Sequence, residues 1–242
     1  MPNYILLYNA GMKSWDVIII GGGIIGLSLS IELRKKGASV LIVERGEPGH
    51  EASRAAGGML VDCSLETSAA LQSLATASAR MYPEFAHELE IESGVKVDLR
   101  DYGTIVFPSA PGDPALQAAG LVSAEPAKFE PSLAGCDRPA FYLQERSVDP
   151  RGMVAAAHQT AKRRGVDISS GENVTSVDLS DGRVSGVTTT KTSFHAAKVV
   201  NCAGAWSGQI GPHAFPTRPV KGTNVMSGLA LSRITETCYS LA

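Results

Sequence analysis

The chain has 242 residues, 44% hydrophobic and 19% charged, enough apolar material for one large buried core or two small ones. Lysine and arginine number 22 against 24 acidic residues, so the net charge is −2 and the composition argues for no nucleic-acid partner. No apolar run reaches the ~18–20 residues of a membrane span. The stretch around Leu6 and Leu7 lacks a basic flank and a small-residue cleavage site, so it does not read as a secretory signal. Residues 1–11 read as a loose tail before a start at Met12. Cys63, Cys136, Cys202 and Cys238 are dispersed without CxxC or CxxH spacing, which argues against a zinc site and a disulfide framework. A reduced, cytoplasmic compartment is the expectation.

The first strong element is the β-branched run 16–20, the pattern of a parallel strand buried on both faces. Three glycines, Gly21 to Gly23, break it. A helical pattern then holds over 24–36, with Ile24, Leu27, Ile31 and Leu33 near one face, and Gly37 ends it. Residues 40–43 form a second buried strand closed by Glu44, which completes a βαβ unit. Residues 45–58 are rich in Gly, Ala and Ser and read as a functional loop. Helical periodicity returns over 66–92, with Leu71, Leu74, Ala75, Met81, Phe85 and Leu89 as core candidates and Pro83 as a kink or division. Short strand-like pieces, 103–107 and 140–143, follow among Pro108, Pro111, Pro114, Pro126, Pro131 and Pro139. That style is more antiparallel than doubly wound. Asp149-Pro150 starts a helix that Gly165 stops. Residues 174–179 and 183–189 flank Ser180-Asp181-Gly182 as a hairpin, and 194–202 reads as one more strand.

These elements predict an α/β, Rossmann-type doubly wound domain over 12–93 and 148–212. A partial antiparallel substrate domain is expected over 94–147 and 213–242.

Gly21-x-Gly23-x-x-Gly26 follows a buried strand, opens a helix, and precedes an acidic residue at the end of the next strand, Glu44. Gly21 permits the tight turn, Gly23 lets a pyrophosphate reach the helix N-terminus, and Gly26 lets helix and strand pack closely. Glu44 is placed to accept hydrogen bonds from ribose hydroxyls and to repel a 2′-phosphate. These residues leave NAD and FAD both open. Other candidates are weaker: His50 reads as a solvated loop residue, Cys63 and Cys202 as neutral thiols, and Lys162-Arg163-Arg164 as a solvated face.

The loop 45–60 (RGEPGHEASRAAGGML) settles the choice by resemblance. Together with Asp149-Pro150, Val174, residues 201–207 (NCAGAWS) and residues 218–222 (RPVKG), it resembles the glycine oxidase/D-amino-acid oxidase family of FAD-dependent oxidoreductases over residues 13–222. The resemblance implies FAD as cofactor. It places Ile24 and Ile25 on the pyrophosphate turn, Glu44 and Arg45 on the adenosine side, and Ala52 and Ser53 in the phosphate-side loop. Gly57, Gly58 and Met59 match the stretch nearest the isoalloxazine, and Val174 a residue whose backbone holds the adenine. Ala203 and Gly204 complete the implied cofactor-binding set. Arg54 stands where some relatives tether the flavin through a histidine, which implies noncovalent FAD.

The implied activity is oxidative deamination of a small amino acid, with glycine oxidase of thiamine biosynthesis as the leading member. A hydride leaves the α-carbon for flavin N5, and oxygen or another acceptor reoxidises the flavin. No side chain is assigned as catalytic. The alternatives are a sarcosine oxidase, a D-amino-acid dehydrogenase, or a noncatalytic nucleotide-binding fragment. The expected partners are a small amino-acid or amine substrate and oxygen, and a homo-oligomer is allowed. Family members continue well past 218–222, and residues 232–240 are expected to match neither their pattern nor an amphipathic element. The expectation is a C-terminally truncated member and an inactive fragment.

Overall fold

The computed structural model describes residues 13–60, 69–108, 121–211, 216–217 and 219–220. The expected tail 1–11, the helix start 66–68, Pro111, Pro114, Cys63, Cys238, Arg218 and 221–242 lie outside these residues. The chain divides into two compact units, Met1–Ala55 with Val154–Thr223 and Ala56–Met153 with Asn224–Ala242.

In the first unit the strands Val17–Ile20 and Val40–Glu44 are buried throughout, which is why both are continuous apolar runs. They lie side by side in a four-stranded parallel sheet, ordered Asp167–Ser170, Val40–Glu44, Val17–Ile20, Val199–Asn201. The helix Ile24–Lys35 buries Gly26, Leu27, Ser30 and Ile31, while Ile24 and Leu33 are only partly covered. Its end is set by a Schellman closure: Gly37 N–H donates to the Arg34 carbonyl at 3.0 Å and Ala38 N–H to the Leu33 carbonyl at 3.1 Å. The helix Pro150–Arg163 ends the same way, with Gly165 N–H on the Lys162 carbonyl and Val166 N–H on the Ala161 carbonyl. Arg34 Nε donates to the Arg164 carbonyl at 2.8 Å and joins the two helix ends. Asp149 caps the start of that second helix, accepting from Arg151 N–H at 3.0 Å and Gly152 N–H at 3.2 Å.

A second sheet of this unit runs Ser14–Trp15, Ser193–Ala196, Arg183–Thr189, Val174–Ser180. Asp181 and Gly182, at φ 51° and 74°, join the last two strands as a two-residue hairpin turn. The single strand expected over 194–202 is two strands in different sheets. Ser193–Ala196 pairs antiparallel with Arg183–Thr189, and Val199–Asn201 pairs parallel with Val17–Ile20. Ile18 N–H takes the Lys198 carbonyl at 2.9 Å, so the crossing falls at residues 197–198, where no turn residue marks it. A buried cluster including Ile18, Ile20, Leu41, Val43, Val174, Val187 and Ala196 fills the space between these sheets.

Among the described residues of the second unit, every strand pair is antiparallel. One sheet is ordered Met59–Leu60, Arg146–Val148, Leu99–Arg100, and the other Thr104–Val106, Ala140–Leu143, Val122–Ala124. The helix Ala69–Ser93 runs through Pro83 undivided. It buries Ala79, Ala86, Leu89 and Ser93, while Leu71, Leu74 and Met81, expected in the core, are exposed. The small buried residues at 79, 86 and 93 recur every seven positions, on the same face as Leu89. Leu74 and Met81 fall off that face. No described helix is long and apolar enough to cross a membrane.

Candidate dinucleotide site

The carboxyl ends of the Val17–Ile20 and Val40–Glu44 strands, together with residues 172–175 and 202–210, border a cavity of about 950 Å³ in the first unit. Open α/β sheets bind ligands at such strand ends. Gly21 turns the chain at φ 104°. A Cβ there would stand 2.5 Å from the Cys202 carbonyl oxygen. A Cβ on Gly26 would stand 2.1 Å from the Gly21 carbonyl oxygen, so helix and strand touch backbone to backbone. Gly23 differs: its only near neighbour is Ser53 Oγ, 3.1 Å from a built Cβ. It caps the helix with extended backbone and leaves room in front of the helix N-terminus.

Ile24 N–H donates to Ser53 Oγ at 3.0 Å. The N–H groups of Ile25 and Gly26 follow, and by their position in the first turn they have no intrahelical acceptor. That turn carries no acidic residue. Its dipole and free donors favour an anion. Ser53 and Ala52 reach this point because residues 52–55 of the expected loop form a short helix.

Glu44 is buried. Its Oε2 accepts from Gly22 N–H at 2.7 Å and its Oε1 from Gly46 N–H at 2.8 Å. Two backbone bonds fix the carboxylate at the cavity wall and leave each oxygen further acceptor capacity. Backbone bonds from Gly171 N–H to the Gly46 carbonyl and Glu172 N–H to the Glu44 carbonyl bring residues 171–174 alongside. Val174 is buried in that wall. Glu172 accepts from Ser169 Oγ at 2.6 Å and Thr189 Oγ1 at 2.8 Å, and these bonds hold its carboxyl below the usual range.

Ala203 and Gly204 also line the cavity, beside the Gly21 turn. Asn201 organises this stretch, with Oδ1 accepting from Ala203 N–H at 3.1 Å and Nδ2 donating to the Ser207 carbonyl at 2.9 Å. The 3₁₀ turn Gly204–Gln209 then carries Trp206, whose indole lies 3.6 Å from the Arg45 guanidinium. Arg45 also pairs with Glu51 at 3.0 Å. Burial pushes the Cys202 thiol up, so it is neutral near pH 7.

Of the candidates from sequence, the cavity gathers Gly21, Gly23, Ile24, Ile25, Glu44, Arg45, Ala52, Ser53, Val174, Ala203 and Gly204, with Gly26 packed behind the turn. Gly57, Gly58 and Met59 belong to the second unit. There Met59 pairs with Ser147, and a Cβ on Gly58 would meet the Val148 carbonyl oxygen at 2.0 Å. Trp206, Glu51 and Glu172 line the cavity without having been picked out from sequence. Trp206 and Glu51 lie within the stretches 201–207 and 45–60 that carry the resemblance, whereas Glu172 lies in no motif. His50 is occupied at both ring nitrogens, by Glu47 at 2.6 Å and by Arg54 Nη1 at 2.7 Å. Among the described residues no cluster suits a metal ion, and Cys136 and Cys202 are free thiols.

Known proteins carry the same framework. The chain is 32% identical over 214 residues to the bifunctional protein ThiO/ThiG of Synechocystis sp., covering 86% of this chain and 32% of that protein. It is 31% identical over 235 residues to the glycine oxidase of Geobacillus kaustophilus, covering 88% of this chain and 61% of the enzyme. The crystal structure of a glycine oxidase from Geobacillus kaustophilus superposes with a TM-score of 0.74 at 28% identity, over 82% of this chain and 57% of that one. The chain thus spans between a third and under two thirds of these relatives' length. The profile of the family described as FAD dependent oxidoreductase matches residues 16–236. With the strand–glycine turn–helix, the fixed Glu44 and the cavity beside them, that match makes the chain a member of the FAD-dependent oxidoreductase family, whose cofactor is FAD.

Proposed function

We propose that this chain holds FAD without a covalent bond in the first unit's cavity, as part of an enzyme that oxidatively deaminates a small amino acid. The single observation that carries the reading is the cavity itself, whose lining brings anion-seeking N–H groups of the helix turn together with a fixed carboxylate. The pyrophosphate suits the Ile24–Gly26 turn, where Gly23 leaves space and Ser53 supplies a hydroxyl. The ribose hydroxyls suit Glu44, whose two backbone bonds keep it oriented. Val174, Ala203 and Gly204 present backbone and small side chains to flat or uncharged parts of the ligand. Gly57, Gly58 and Met59 are assigned to the ring end by resemblance. Arg54 offers a guanidinium, not a nucleophile, at the position where a histidine tethers the flavin in some relatives, and it is engaged with His50.

Bound FAD supplies the two-electron oxidation, and the protein's part is orientation and exclusion of competing chemistry. The glycine oxidases among the relatives support glycine as the leading substrate, with sarcosine or a small D-amino acid behind it, and oxygen as the acceptor. The similarity to ThiO/ThiG supports a role in thiamine biosynthesis.

The test is anaerobic. The chain is loaded with FAD, freed of excess, and mixed with glycine, sarcosine or D-alanine. Bleaching of the flavin absorbance by one of the three names the substrate class. Retained FAD with no bleaching by any of them would leave the cofactor reading standing and remove amine oxidation.

A further inference from the structure

The turn, Glu44 and Ser53 account for a phosphate and a ribose, but not for His50, which bridges two successive turns of the loop beside them. His50 N–H donates to the Glu47 carbonyl at 3.1 Å, and Arg54 N–H to the Glu51 carbonyl at 3.1 Å. The imidazole joins these turns, with Nδ1 at 2.6 Å from the Glu47 carboxylate and Nε2 at 2.7 Å from Arg54 Nη1. A guanidinium only donates, so Nε2 accepts and the ring proton sits on Nδ1. A doubly protonated ring keeps Glu47 and loses Arg54. The segment is anchored on either side of His50. Gly49, at φ 79°, lies so close to the helix Pro150–Arg163 that a Cβ would stand 2.0 Å from Val154 Cγ1. Ser53 Oγ accepts from Ile24 N–H at the helix turn that borders the cavity.

We propose that His50 is a positioning residue for the phosphate side of the cavity: its neutral ring, through Arg54, braces Ser53 against the helix turn, and its protonation loosens FAD. The proposal rests on the FAD reading above. The groups around the ring are Glu47 on its own turn, Arg54 on the next, and His158 on the helix Pro150–Arg163, with Lys162 one turn further along that helix. Burial first, then Lys162, holds the His158 imidazole below the ordinary histidine range against the pull of Glu47. His158 is therefore neutral near pH 7 and brings no charge against His50. In acid a second proton on His50 sets a cation against the Arg54 guanidinium, which has lost its acceptor there. The brace is complete at neutral and higher pH and is lost as pH falls through the range where histidine charges, about 6.5 for an unperturbed ring. His50, Glu47 and Arg54 are all partly exposed, so the effect on affinity is a few-fold.

The experiment titrates the full chain with FAD at a series of pH values on both sides of about 6.5, following flavin fluorescence. His50→Gln donates and accepts but cannot take a second proton, and His50→Lys is a cation that cannot accept from Arg54. The unsubstituted chain should bind FAD about threefold more weakly on the acid side. His50→Gln should match it within about twofold at neutral pH and lose the pH dependence, while His50→Lys should be about threefold weaker throughout. His158→Gln should keep the pH dependence. An affinity that does not change with pH in the unsubstituted chain would overturn the proposal and leave the FAD reading intact. A pH dependence kept in His50→Gln but lost in His158→Gln would do the same. The ring tautomer is a second readout that needs no variant and no FAD: nitrogen-15 shifts of His50 at neutral pH should place the proton on Nδ1. A proton on Nε2 would overturn the proposal. Absence of FAD binding by the unsubstituted chain at every pH would overturn proposal and reading together.

Discussion

Two walls of one cavity are built by different means. Along the Gly21–Glu44 wall, every critical position is fixed by backbone. Gly21 presses on the Cys202 carbonyl, Gly26 on the Gly21 carbonyl, and Glu44 is pinned by two N–H groups. Along the wall of Arg45, Glu51 and Trp206, contacts are between side chains, and Arg45 and Glu51 remain partly exposed. At Gly21 and Gly26 the first wall tolerates almost no added volume. The second is a set of side-chain contacts between partly exposed residues.

Gly26→Val attacks the backbone wall most severely. A branched side chain at a position where even a Cβ lies 2.1 Å from a carbonyl oxygen forces helix and strand apart. The expected cost exceeds about 4 kcal/mol, with loss of a cooperative thermal transition. A melting curve superposable on that of the unsubstituted chain would show that the contact is not part of the folded unit.

Glu44→Gln comes next. The amide keeps the volume but offers one oxygen to two backbone donors, so either Gly22 or Gly46 N–H is left unsatisfied. Chemical denaturation should report a loss of about 1–3 kcal/mol. An equal midpoint for both proteins would mean that the two bonds contribute nothing net.

The difference between the walls also explains how much was legible in the sequence. The βαβ unit is local: its periodicities, glycines and terminal carboxylate lie within residues 16–44, and the fold follows them closely. The hairpin at Asp181-Gly182 and the caps at Asp149, Gly37 and Gly165 were equally readable, because turn and cap chemistry is local too. The division of 194–202 between two sheets carries no local signal, because Ala197-Lys198, where the chain crosses, includes no glycine or proline. Leu71, Leu74 and Met81 were misplaced because residue size outweighed periodicity in the reading. The buried stripe is Ala79, Ala86, Leu89 and Ser93, in which only Leu89 has a large apolar side chain. Arg45 meets Trp206 only because Asn201 ties the 3₁₀ turn against the end of its strand, a long-range arrangement with no signal of its own.

Ser53→Ala tests the join between the walls. Removing the acceptor of Ile24 N–H should cost about 0.5–1.5 kcal/mol in denaturant, less than Glu44→Gln. A larger loss would make Ser53 a structural keystone.

The smallest effect is electrostatic. The folded-state pKa of Glu172 is lowered by hydrogen bonds from Ser169 and Thr189. Its contribution to stability is therefore complete above the ordinary carboxylate pKa of about 4.3, and is lost as pH falls through the lower folded value. The melting difference between the unsubstituted chain and Glu172→Gln should be present at pH 7 and vanish in acid. A difference that persists or grows in acid would contradict the assigned bonds.

The most direct measurement is an equilibrium titration of the unsubstituted chain and of Gly23→Val with FAD, followed by flavin fluorescence and by circular dichroism. Gly23 is the one glycine of the turn whose missing Cβ faces open space and Ser53 Oγ, with no backbone in the way. The expected result is saturable FAD binding by the unsubstituted chain, none by Gly23→Val, and closely similar dichroism spectra for both. Equal FAD affinity in the two proteins, or none in either, would contradict a dinucleotide seated on that turn.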